Sequence, residues 1–321
     1  MLAIVCPGQG SQSPGFLSPW LELPGVEEQV ATFGEAASTD LRTHGTTSDA
    51  DTIRDTAVAQ PLIVAASLVT LRVLLGDQDA SDVVGVTAGH SVGEFAAAAV
   101  AGVLDDAGAV ALVARRARAM ADAAGLAPSG MSAVVGGDPA EVLAAIAAAG
   151  LHPANVNGGG QVVAAGSLAG LARLAEQPPA KARVIPLQVA GAFHTPFMAP
   201  ALDVFAPVAA GWAAQPPRLT LLSDADGAAY PPATTGPQVL RRLADQIVAP
   251  VRWDLCQQTM ASLGVTGIIE LAPAGVLTGL ARRSLPGVET VAVKTPADCD
   301  AARDLVRRHA GTPPTTEENP A

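Results

Sequence analysis

The sequence predicts an α/β fold in which a smaller domain interrupts a larger one. A chain of 321 residues suits one large α/β domain with a smaller companion. Short apolar runs typical of buried strands alternate with helical segments along most of the chain. Between Met131 and Val189 the order becomes β-α-β-β-α-β, which is the ferredoxin-like arrangement. We therefore expect a ferredoxin-like subdomain over residues 126–190, inserted into a large subdomain formed by residues 1–125 and 191–310.

The composition argues against nucleic acid or an anionic membrane as the main partner. Nineteen basic residues stand against thirty acidic ones, which gives a net charge of −11. Hydrophobic residues make up 49% of the chain and aromatic residues only 3%, so alanine, valine and leucine must build the core. The long uncharged run over residues 184–202 contains three prolines and cannot be a spanning helix. We expect a soluble protein.

The cysteines and the N-terminus indicate a cytoplasmic protein. Cys6, Cys256 and Cys299 are odd in number and far apart, so we interpret them as reduced thiols. Residues 1–6 carry no basic segment and are too few for a signal peptide. No cluster of residues has the spacing of metal ligands, and we predict no metal site.

The chain begins with a predicted strand, Leu2 to Cys6, that enters a glycine-rich loop over residues 7–12. In this loop Gln9 either faces the substrate through its amide or backbone N–H, or lies in a solvated turn. A phosphate-binding loop is excluded because no Gly-Lys-Ser/Thr follows. Two short helices are expected within residues 25–58. Gln60-Pro61 then opens a helix over Leu62 to Leu75, with the proline in its first turn.

The stretch Gly89-His90-Ser91-Val92-Gly93-Glu94 is the first candidate catalytic motif. It lies between an apolar run, residues 83–88, and an alanine-rich helical segment, residues 95–101. A strand, a tight turn and a helix would hold Ser91 at the apex of a strained bend. That bend presents the hydroxyl and aims the Val92 N–H at the same place. A serine nucleophile needs a base, and an acyl transition state needs oxyanion donors.

A long helix capped by Asp105 or Asp106 is predicted to run to about Ala124. Arg116 lies on its apolar stripe, four residues from both Leu112 and Met120. An arginine on a core-facing stripe needs a buried anion. That anion is either a substrate carboxylate or an internal Asp or Glu.

The second half of the chain supplies the remaining elements and a candidate base. His194 follows the last strand of the small subdomain and is flanked by apolar residues, which suits a catalytic base or a buried structural histidine. His44 and His152 are expected in loops, and His90 is expected to point away from Ser91. The predicted elements are strands over 131–135, 154–156, 162–165, 183–189, 219–223, 267–271 and 288–293, and helices over 140–149, 168–176, 238–247, 254–263 and 276–284. Residues 311–321 are predicted to be disordered.

Several motifs together resemble a known family. They are Pro7-Gly8-Gln9-Gly10-Ser11-Gln12, Gln60-Pro61, Gly89-His90-Ser91-Val92-Gly93-Glu94, Arg116 with Met120, Asn155-Val156-Asn157, Gly191-Ala192-Phe193-His194, and Gln246 before Pro250-Val251-Arg252-Trp253. In this order, from about residue 2 to residue 305, they resemble the malonyl-CoA:acyl carrier protein transacylases of fatty acid and polyketide synthesis. The resemblance implies an α/β-hydrolase-like large subdomain interrupted by a ferredoxin-like one.

The resemblance also implies the roles of the catalytic residues. Ser91 would be the nucleophile and His194 the base. Gln9 and the Val92 N–H would form the oxyanion hole. The backbone carbonyl of Gln246, and not an acidic third residue, would orient the histidine.

The same resemblance also implies which residues form the acyl pocket. Arg116 would bind the malonyl carboxylate, and Gln60, Asn155 and Asn157 would line the pocket. In related polyketide acyltransferases an Ala-Phe-His sequence goes with malonyl over methylmalonyl, so Phe193 would crowd an α-methyl group.

The resemblance implies transfer of malonyl from malonyl-CoA to the phosphopantetheine thiol of acyl carrier protein, with malonyl-CoA as a substrate and no cofactor. A stand-alone polyketide acyltransferase, a serine thioesterase and a non-catalytic scaffold are the alternatives. Carrier proteins are acidic, as this chain is, so docking requires a local basic patch. Lys181, Arg183, Arg282 and Arg283 are candidates for it, or they are scattered solvated charges. We expect a monomer.

Overall fold

The computed structural model describes residues 1–310, so the predicted disorder of 311–321 lies outside the described residues. The strands are β1 (Leu2–Cys6), β2 (Val86–Gly89), β3 (Ser129–Gly136), β4 (His152–Gly158), β5 (Gln161–Ser167), β6 (Ala182–Pro186), β7 (Thr220–Leu221), β8 (Gly267–Glu270) and β9 (Glu289–Ala292). The helices are α1 (Ser18–Leu21), α2 (Val26–Ala37), α3 (Leu41–Thr46), α4 (Thr56–Leu75), α5 (Ala80–Val83), α6 (Gly93–Val100), α7 (Asp106–Ala124), α8 (Pro139–Ala148), α9 (Leu168–Glu176), α10 (Ala199–Ala210), α11 (Gly236–Asp245), α12 (Trp253–Ser262), α13 (Val276–Ser284) and α14 (Cys299–His309).

The larger sheet is parallel, with strand order β7-β2-β1-β8-β9. Its central strand β1 is buried along its whole length, which explains its uninterrupted apolar sequence. Cys6 pairs with Gly89, so β1 and β2 end side by side. Since loops at the carboxyl ends of parallel strands form the usual ligand crevice, this edge positions the site.

The smaller sheet is antiparallel, with strand order β4-β5-β3-β6. Its elements run β3-α8-β4-β5-α9-β6, which is the β-α-β-β-α-β order that the sequence predicts. The predicted α/β fold with two separate sheets is thus confirmed. The exact limits of a subdomain over residues 126–190 stay a prediction.

The start of α4 differs from the prediction. The helix begins at Thr56, where the side chain of Asp55 accepts the N–H of Ala57, and Pro61 lies inside the helix instead of in its first turn. The aspartate cap therefore decides the start of the helix, and the proline is tolerated in its second turn. His44 and His152 were expected in loops and lie in α3 and β4. Helices α10 and α14 form in segments for which no helix was predicted.

Helix α4 forms the centre of the core. It is long and apolar enough to cross a membrane by length and composition alone, and 78% of its most apolar window is buried inside the protein. It packs mainly against α7, the helix that carries Arg116. A helix that is apolar all round is typical of a core position.

Candidate active site

The turn after β2 has the geometry of a nucleophile elbow. Ser91 adopts a left-handed backbone conformation with φ of +53°. A β-carbon on Gly89 would lie 2.1 Å from the Glu94 nitrogen, and one on Gly93 would lie 2.2 Å from the Cys6 carbonyl oxygen. Both glycines are therefore required by close backbone approach. The turn holds Ser91 half-buried at the end of the sheet.

Ser91 and His194 lie in hydrogen-bond contact although 103 positions separate them in the chain. Oγ of Ser91 is 2.7 Å from Nε2 of His194. Nδ1 of His194 is 2.9 Å from the backbone carbonyl oxygen of Gln246, so Nδ1 carries the proton and Nε2 faces the hydroxyl as an acceptor. A serine activated by an imidazole, which a third group orients, is the arrangement of a nucleophilic enzyme.

The environment of His194 keeps its imidazole neutral. Burial first, and then the positive charge of Arg116, lower the pKa of His194 to about 3. The side chain is only 4% exposed. At neutral pH the ring is therefore unprotonated and able to accept a proton.

Two backbone N–H groups near Ser91 are free to act as oxyanion donors. Among residues 1–310, neither the Gln9 N–H nor the Val92 N–H has a hydrogen-bond acceptor. The side-chain amide of Gln9 is engaged instead, since Nε2 donates to the Arg54 carbonyl at 3.2 Å. Either the side-chain amide or the backbone N–H of Gln9 was expected to face the substrate. Among residues 1–310, only the backbone N–H is without an acceptor.

Arg116 is fully buried, and neither of the two anions considered from sequence is in direct contact with it. Nη1 donates to Oε1 of Gln60 at 2.7 Å, and Nη2 donates to Oε1 of Gln246 at 2.6 Å. Within the described residues 1–310, its Nε has no hydrogen-bond partner. Burial lowers the pKa of Arg116 to about 10, so the guanidinium remains charged at neutral pH. A buried cation held by neutral amide oxygens still has the capacity to pair with an anion.

A cavity of about 100 Å³ opens beside Ser91. Its lining residues are Gln9, Gln60, His90, Ser91, Val92, Met120, Met131, Asn155, Val163, Leu187, Val189, Phe193 and His194. The volume is that of about three water molecules, which suits a short acyl group. A second cavity of about 330 Å³, the outer cavity, shares Gln9, Leu187 and Val189 with it, and its lining includes the exposed residues Gly10, Pro14 and Gln188.

The expectation for His90 was wrong. Its ring lines the cavity, and Nε2 lies 2.8 Å from Oδ1 of Asn157. Asn157 therefore contacts the site through His90 and does not line the cavity itself, whereas Asn155 does. A tight turn between β2 and α6 directs both His90 and Ser91 towards the small sheet, which a simple alternation along a strand did not predict.

Comparison with known proteins assigns the chain to a family. The model of the acyl transferase domain family matches residues 3–299. The chain belongs to this family. It is 52% identical over 310 residues to the malonyl CoA-acyl carrier protein transacylase of Mycobacterium tuberculosis, covering 95% of this chain and 100% of that one.

Two solved structures are similar over nearly the whole chain. The crystal structure of MCAT from Mycobacterium tuberculosis has a TM-score of 0.88 at 52% identity, covering 95% of this chain and 99% of that one. A malonyl-transacylase in complex with a type II polyketide synthase acyl-carrier protein has a TM-score of 0.87 at 29% identity, covering 94% of this chain and 99% of that one.

This acyl transferase domain also contains two buried carboxyl groups that the sequence analysis did not assign. Glu94 is 2% exposed and Asp224 is fully buried. Oδ2 of Asp224 accepts the N–H of Ser91 at 2.7 Å, and Oε1 of Glu94 accepts the N–H of Asp224 at 2.8 Å. Glu94 was visible in the serine motif, whereas Asp224 lay in a turn-like sequence, Ser223 to Gly227, with no mark of its role.

Burial sets the charge of this carboxyl pair. It raises the pKa of Asp224 to about 7. Burial first, and then the charge of Asp224, hold the pKa of Glu94 well above its usual range. Two close, desolvated carboxyl groups do not both ionise, so near neutral pH they share a proton.

Within residues 1–310 no group of three or more His, Cys, Asp and Glu side chains could hold a metal ion. Cys6, Cys256 and Cys299 are free and buried. Burial raises the pKa of the Cys6 and Cys256 thiols, so neither is a reactive thiolate.

Proposed function

We propose that this protein transfers a malonyl group from malonyl-CoA to the phosphopantetheine thiol of acyl carrier protein through a Ser91 acyl-enzyme. The main support is the contact of 2.7 Å between Oγ of Ser91 and Nε2 of a neutral His194. Membership of the acyl transferase domain family and the names of the relatives agree with this activity.

In the first half-reaction His194 removes the proton of Ser91 as Oγ attacks the thioester carbonyl. The resulting oxyanion accepts hydrogen bonds from the N–H groups of Gln9 and Val92, which are fixed before the reaction begins. The tetrahedral intermediate then expels the CoA sulfur, which takes the proton back from His194. The backbone carbonyl of Gln246 orients His194 and stabilises the imidazolium that forms between these two steps.

The second half-reaction repeats this chemistry with a different thiol. His194 accepts the proton of the carrier's phosphopantetheine thiol, and the sulfur attacks the Ser91 ester. The same oxyanion donors act again, and Ser91 leaves with the proton from His194. No cofactor takes part, because malonyl-CoA is a substrate and the serine carries the acyl group between the two thiols.

We propose that Arg116 gives the pocket its preference for a dicarboxylate acyl group. The free donor on Nε and the uncharged partners on Nη1 and Nη2 leave the guanidinium able to pair with the malonyl carboxylate. Gln60 then exchanges its contact with Arg116 for one with the substrate, and Asn155 lines the opposite side. Phe193, which is 6% exposed in the cavity, crowds an α-methyl group.

The outer cavity suits the arm of the thioester. It adjoins the acyl cavity and is bordered by Gln9, Arg54 and the segment 187–189, which leaves the small sheet. A pantetheine chain passing there would reach Ser91 from solvent without exposing the acyl group. We also propose a cytoplasmic location, since the three buried thiols are reduced.

A rim beside the small sheet is a candidate for docking the carrier. Lys181, Arg183, Arg282 and Arg283 are exposed, and within residues 1–310 none of them pairs with a carboxylate. Arg283 lies against Gly159, where an added β-carbon would be 3.1 Å from its Nε. The backbone of Lys181 lies against Gly136, where an added β-carbon would be 2.7 Å from the Lys181 carbonyl oxygen. Because the Gly136 N–H donates to the Gly160 carbonyl, Lys181 and Arg283 lie near the same pair of turns. They offer an acidic carrier positive charge on an otherwise acidic protein.

Mass spectrometry of the acyl-enzyme tests the proposed function. Incubation with malonyl-CoA should add about 86 Da, the mass of a malonyl group, to the peptide that contains Ser91. Addition of holo-carrier protein should then remove this mass and transfer it to the carrier thiol. Absence of the adduct on Ser91 in a folded protein would refute the proposal.

The fate of the acyl group separates the alternatives. A thioesterase would release free malonate faster than it loads the carrier, whereas a transacylase loads the carrier first. A panel of fatty acid and polyketide carrier proteins decides which carrier is the better acceptor. The structural similarity to a complex with a polyketide carrier protein makes that panel necessary.

A further inference from the structure

The conformation of Ser91 requires support that its own strand and helix do not provide. Its φ of +53° is one that residues with side chains rarely adopt. The N–H of Ser91 makes no backbone hydrogen bond within residues 1–310, because β2 ends at Gly89 and the bonds of α6 begin beyond it. An unpaired N–H and a strained backbone would both favour relaxation of the turn.

Asp224 provides that support. It lies just beyond the carboxyl end of β7, the strand next to β2, and its Oδ2 is 2.7 Å from the nitrogen of Ser91. Asp224 therefore holds the backbone N–H of Ser91, while His194 contacts its hydroxyl. A hydrogen bond to a carboxylate is among the stronger ones in proteins.

Glu94 and Gln246 hold Asp224 in place. Oε1 of Glu94 accepts the backbone N–H of Asp224 at 2.8 Å, and the side chain of Asp224 accepts the N–H of Ser91. The two acidic side chains therefore join the segment at Asp224 to the turn at Ser91 by two hydrogen bonds. Nε2 of Gln246 donates to the Ser91 carbonyl at 3.0 Å, to both oxygens of Asp224 at 3.2 Å and to Oε2 of Glu94. Both peptide groups that flank the nucleophile's Cα are therefore held by this network.

We propose that Asp224, held in place by Glu94, is a positioning residue that fixes the strained backbone of Ser91 so that its hydroxyl stays in contact with His194. The inference rests on the proposed function, since it takes Ser91 as the nucleophile. It concerns the reactivity of Ser91 towards every acyl donor and not the choice of acyl group. Neither carboxyl group lines the acyl cavity.

The test compares Asp224→Ala, which removes the acceptor, with Asp224→Asn, which keeps an acceptor oxygen at the same position and volume. The rate of Ser91 acylation is measured in single turnovers with malonyl-CoA, with acetyl-CoA and with a serine-reactive fluorophosphonate. Displacement of a reacting atom by about 1 Å costs about 100-fold in rate. We therefore expect Asp224→Ala to lower all three rate constants about 100-fold, by the same factor, with little change in half-saturating concentration.

The conservative variant distinguishes positioning from simple destabilisation. Asp224→Asn should recover most of the lost rate even if its melting temperature falls, because the N–H of Ser91 keeps an acceptor. Asp224→Ser, which is small and polar but too short to reach that N–H, should behave like Asp224→Ala and replaces it if the alanine variant does not fold. Glu94→Gln keeps an acceptor for Asp224 and should lose less rate than Asp224→Ala.

Three outcomes would overturn the proposal. They are an unchanged acylation rate in the alanine or serine variant, a loss confined to malonyl-CoA, and an equal loss in Asp224→Asn and Asp224→Ala. The fluorophosphonate separates this inference from the proposed function. If the wild-type protein reacts with it but not with malonyl-CoA, the proposed function fails while the effect of Asp224 on Ser91 is still measured.

Discussion

Gln246 joins His194 to the rest of the site through two different groups. Its backbone carbonyl lies 2.9 Å from Nδ1 of His194, and its side-chain Oε1 accepts Nη2 of Arg116 at 2.6 Å. One residue between α11 and α12 therefore contacts both the imidazole and the guanidinium. Because Gln246 links the guanidinium to the imidazole, a variant at Arg116 has to be judged by its acyl selectivity and not by its rate towards one substrate alone.

The first prediction concerns the charge of Arg116. Arg116→Ala should lose transfer of malonyl while keeping activity towards acetyl-CoA. Loss of one partner of a desolvated charge pair costs about 2–5 kcal/mol, so kcat/KM for malonyl-CoA should fall at least tenfold. The measurement is the ratio of kcat/KM for malonyl-CoA to that for acetyl-CoA.

Arg115→Ala is the matched control, because Arg115 is the exposed neighbour of Arg116 on α7. Its selectivity ratio should equal that of the wild type. A ratio that does not change in Arg116→Ala would remove Arg116 from its proposed role in carboxylate binding.

The second prediction uses the contact between Arg116 and Gln60. A carboxylate in place of Oε1 of Gln60 would pair with the guanidinium and compete with the malonyl carboxylate. Gln60→Glu should therefore raise KM for malonyl-CoA and leave acylation by acetyl-CoA nearly unchanged. Gln60→Met, of similar shape but without the polar amide, is the control: it loses the substrate contact but adds no competing charge, so it should raise KM less than Gln60→Glu. An equal rise in KM in both variants would contradict competition between the introduced carboxylate and the malonyl carboxylate for Arg116.

The third prediction is a pH profile. Since the pKa of His194 is lowered from 6.5 to about 3, the base stays neutral throughout the range in which an exposed histidine becomes protonated. Acylation by acetyl-CoA, which has no free carboxylate, should show no loss with an apparent pKa near 6.5. Asp224 titrates nearby with a pKa of about 7, so the same profile is measured in Asp224→Asn. An inflection near 6.5 in both proteins would contradict a neutral, buried His194.

The same shift predicts how stability depends on pH. Between pH 3 and 6.5 the unfolded chain binds a proton at His194 that the folded protein does not bind, so this residue makes stability fall as pH falls through that range. His194→Leu should therefore unfold with a weaker pH dependence between pH 6 and 4 than the wild type. Denaturation midpoints at these two pH values measure the difference.

The sequence predicted the turn at Ser91 because its glycines and its position between a strand and a helix leave a local pattern. It predicted the partners of Ser91 only through a family resemblance, since 103 positions separate Ser91 from His194 and no local pattern encodes that distance. The α/β class and the strand order of the small sheet followed from hydrophobic periodicity.

What the sequence did not predict depends on contacts that form only in the folded chain. In the sequence Asp224 is an ordinary turn residue. Only the pairing of β7 with β2 in the folded chain brings its carboxyl group within hydrogen-bond distance of the Ser91 N–H. Arg116 was expected to face an anion. It donates instead to the side-chain amide oxygens of Gln60 and Gln246, which lie in different helical regions of the chain. The direction of His90 depended on the twist of the turn that carries it, which periodicity along the chain does not give.

The fifth prediction concerns stability away from the site. Glu270 is fully buried at the end of β8, and its carboxyl oxygens accept the N–H groups of Val276, Leu277 and Thr278 at 2.8–3.1 Å. It therefore satisfies three donors at the start of α13, where the helix dipole favours negative charge. Glu270→Gln keeps the volume but places an N–H₂ group against these donors, which leaves part of them unpaired. The free energy of unfolding should fall by about 1–3 kcal/mol, measured by chemical denaturation.

Glu289→Gln is the control for this prediction, because Glu289 lies on the edge strand β9 and is exposed to solvent, where its pairs with Arg308 and His309 are screened. Such surface pairs contribute about 0–1 kcal/mol. Both variants should acylate Ser91 at the wild-type rate at 25 °C, since neither residue contacts the cavity. Equal stability losses in the two variants would show that the cap on α13 contributes no more than a surface pair, in which case the burial of Glu270 would have to be explained by packing alone.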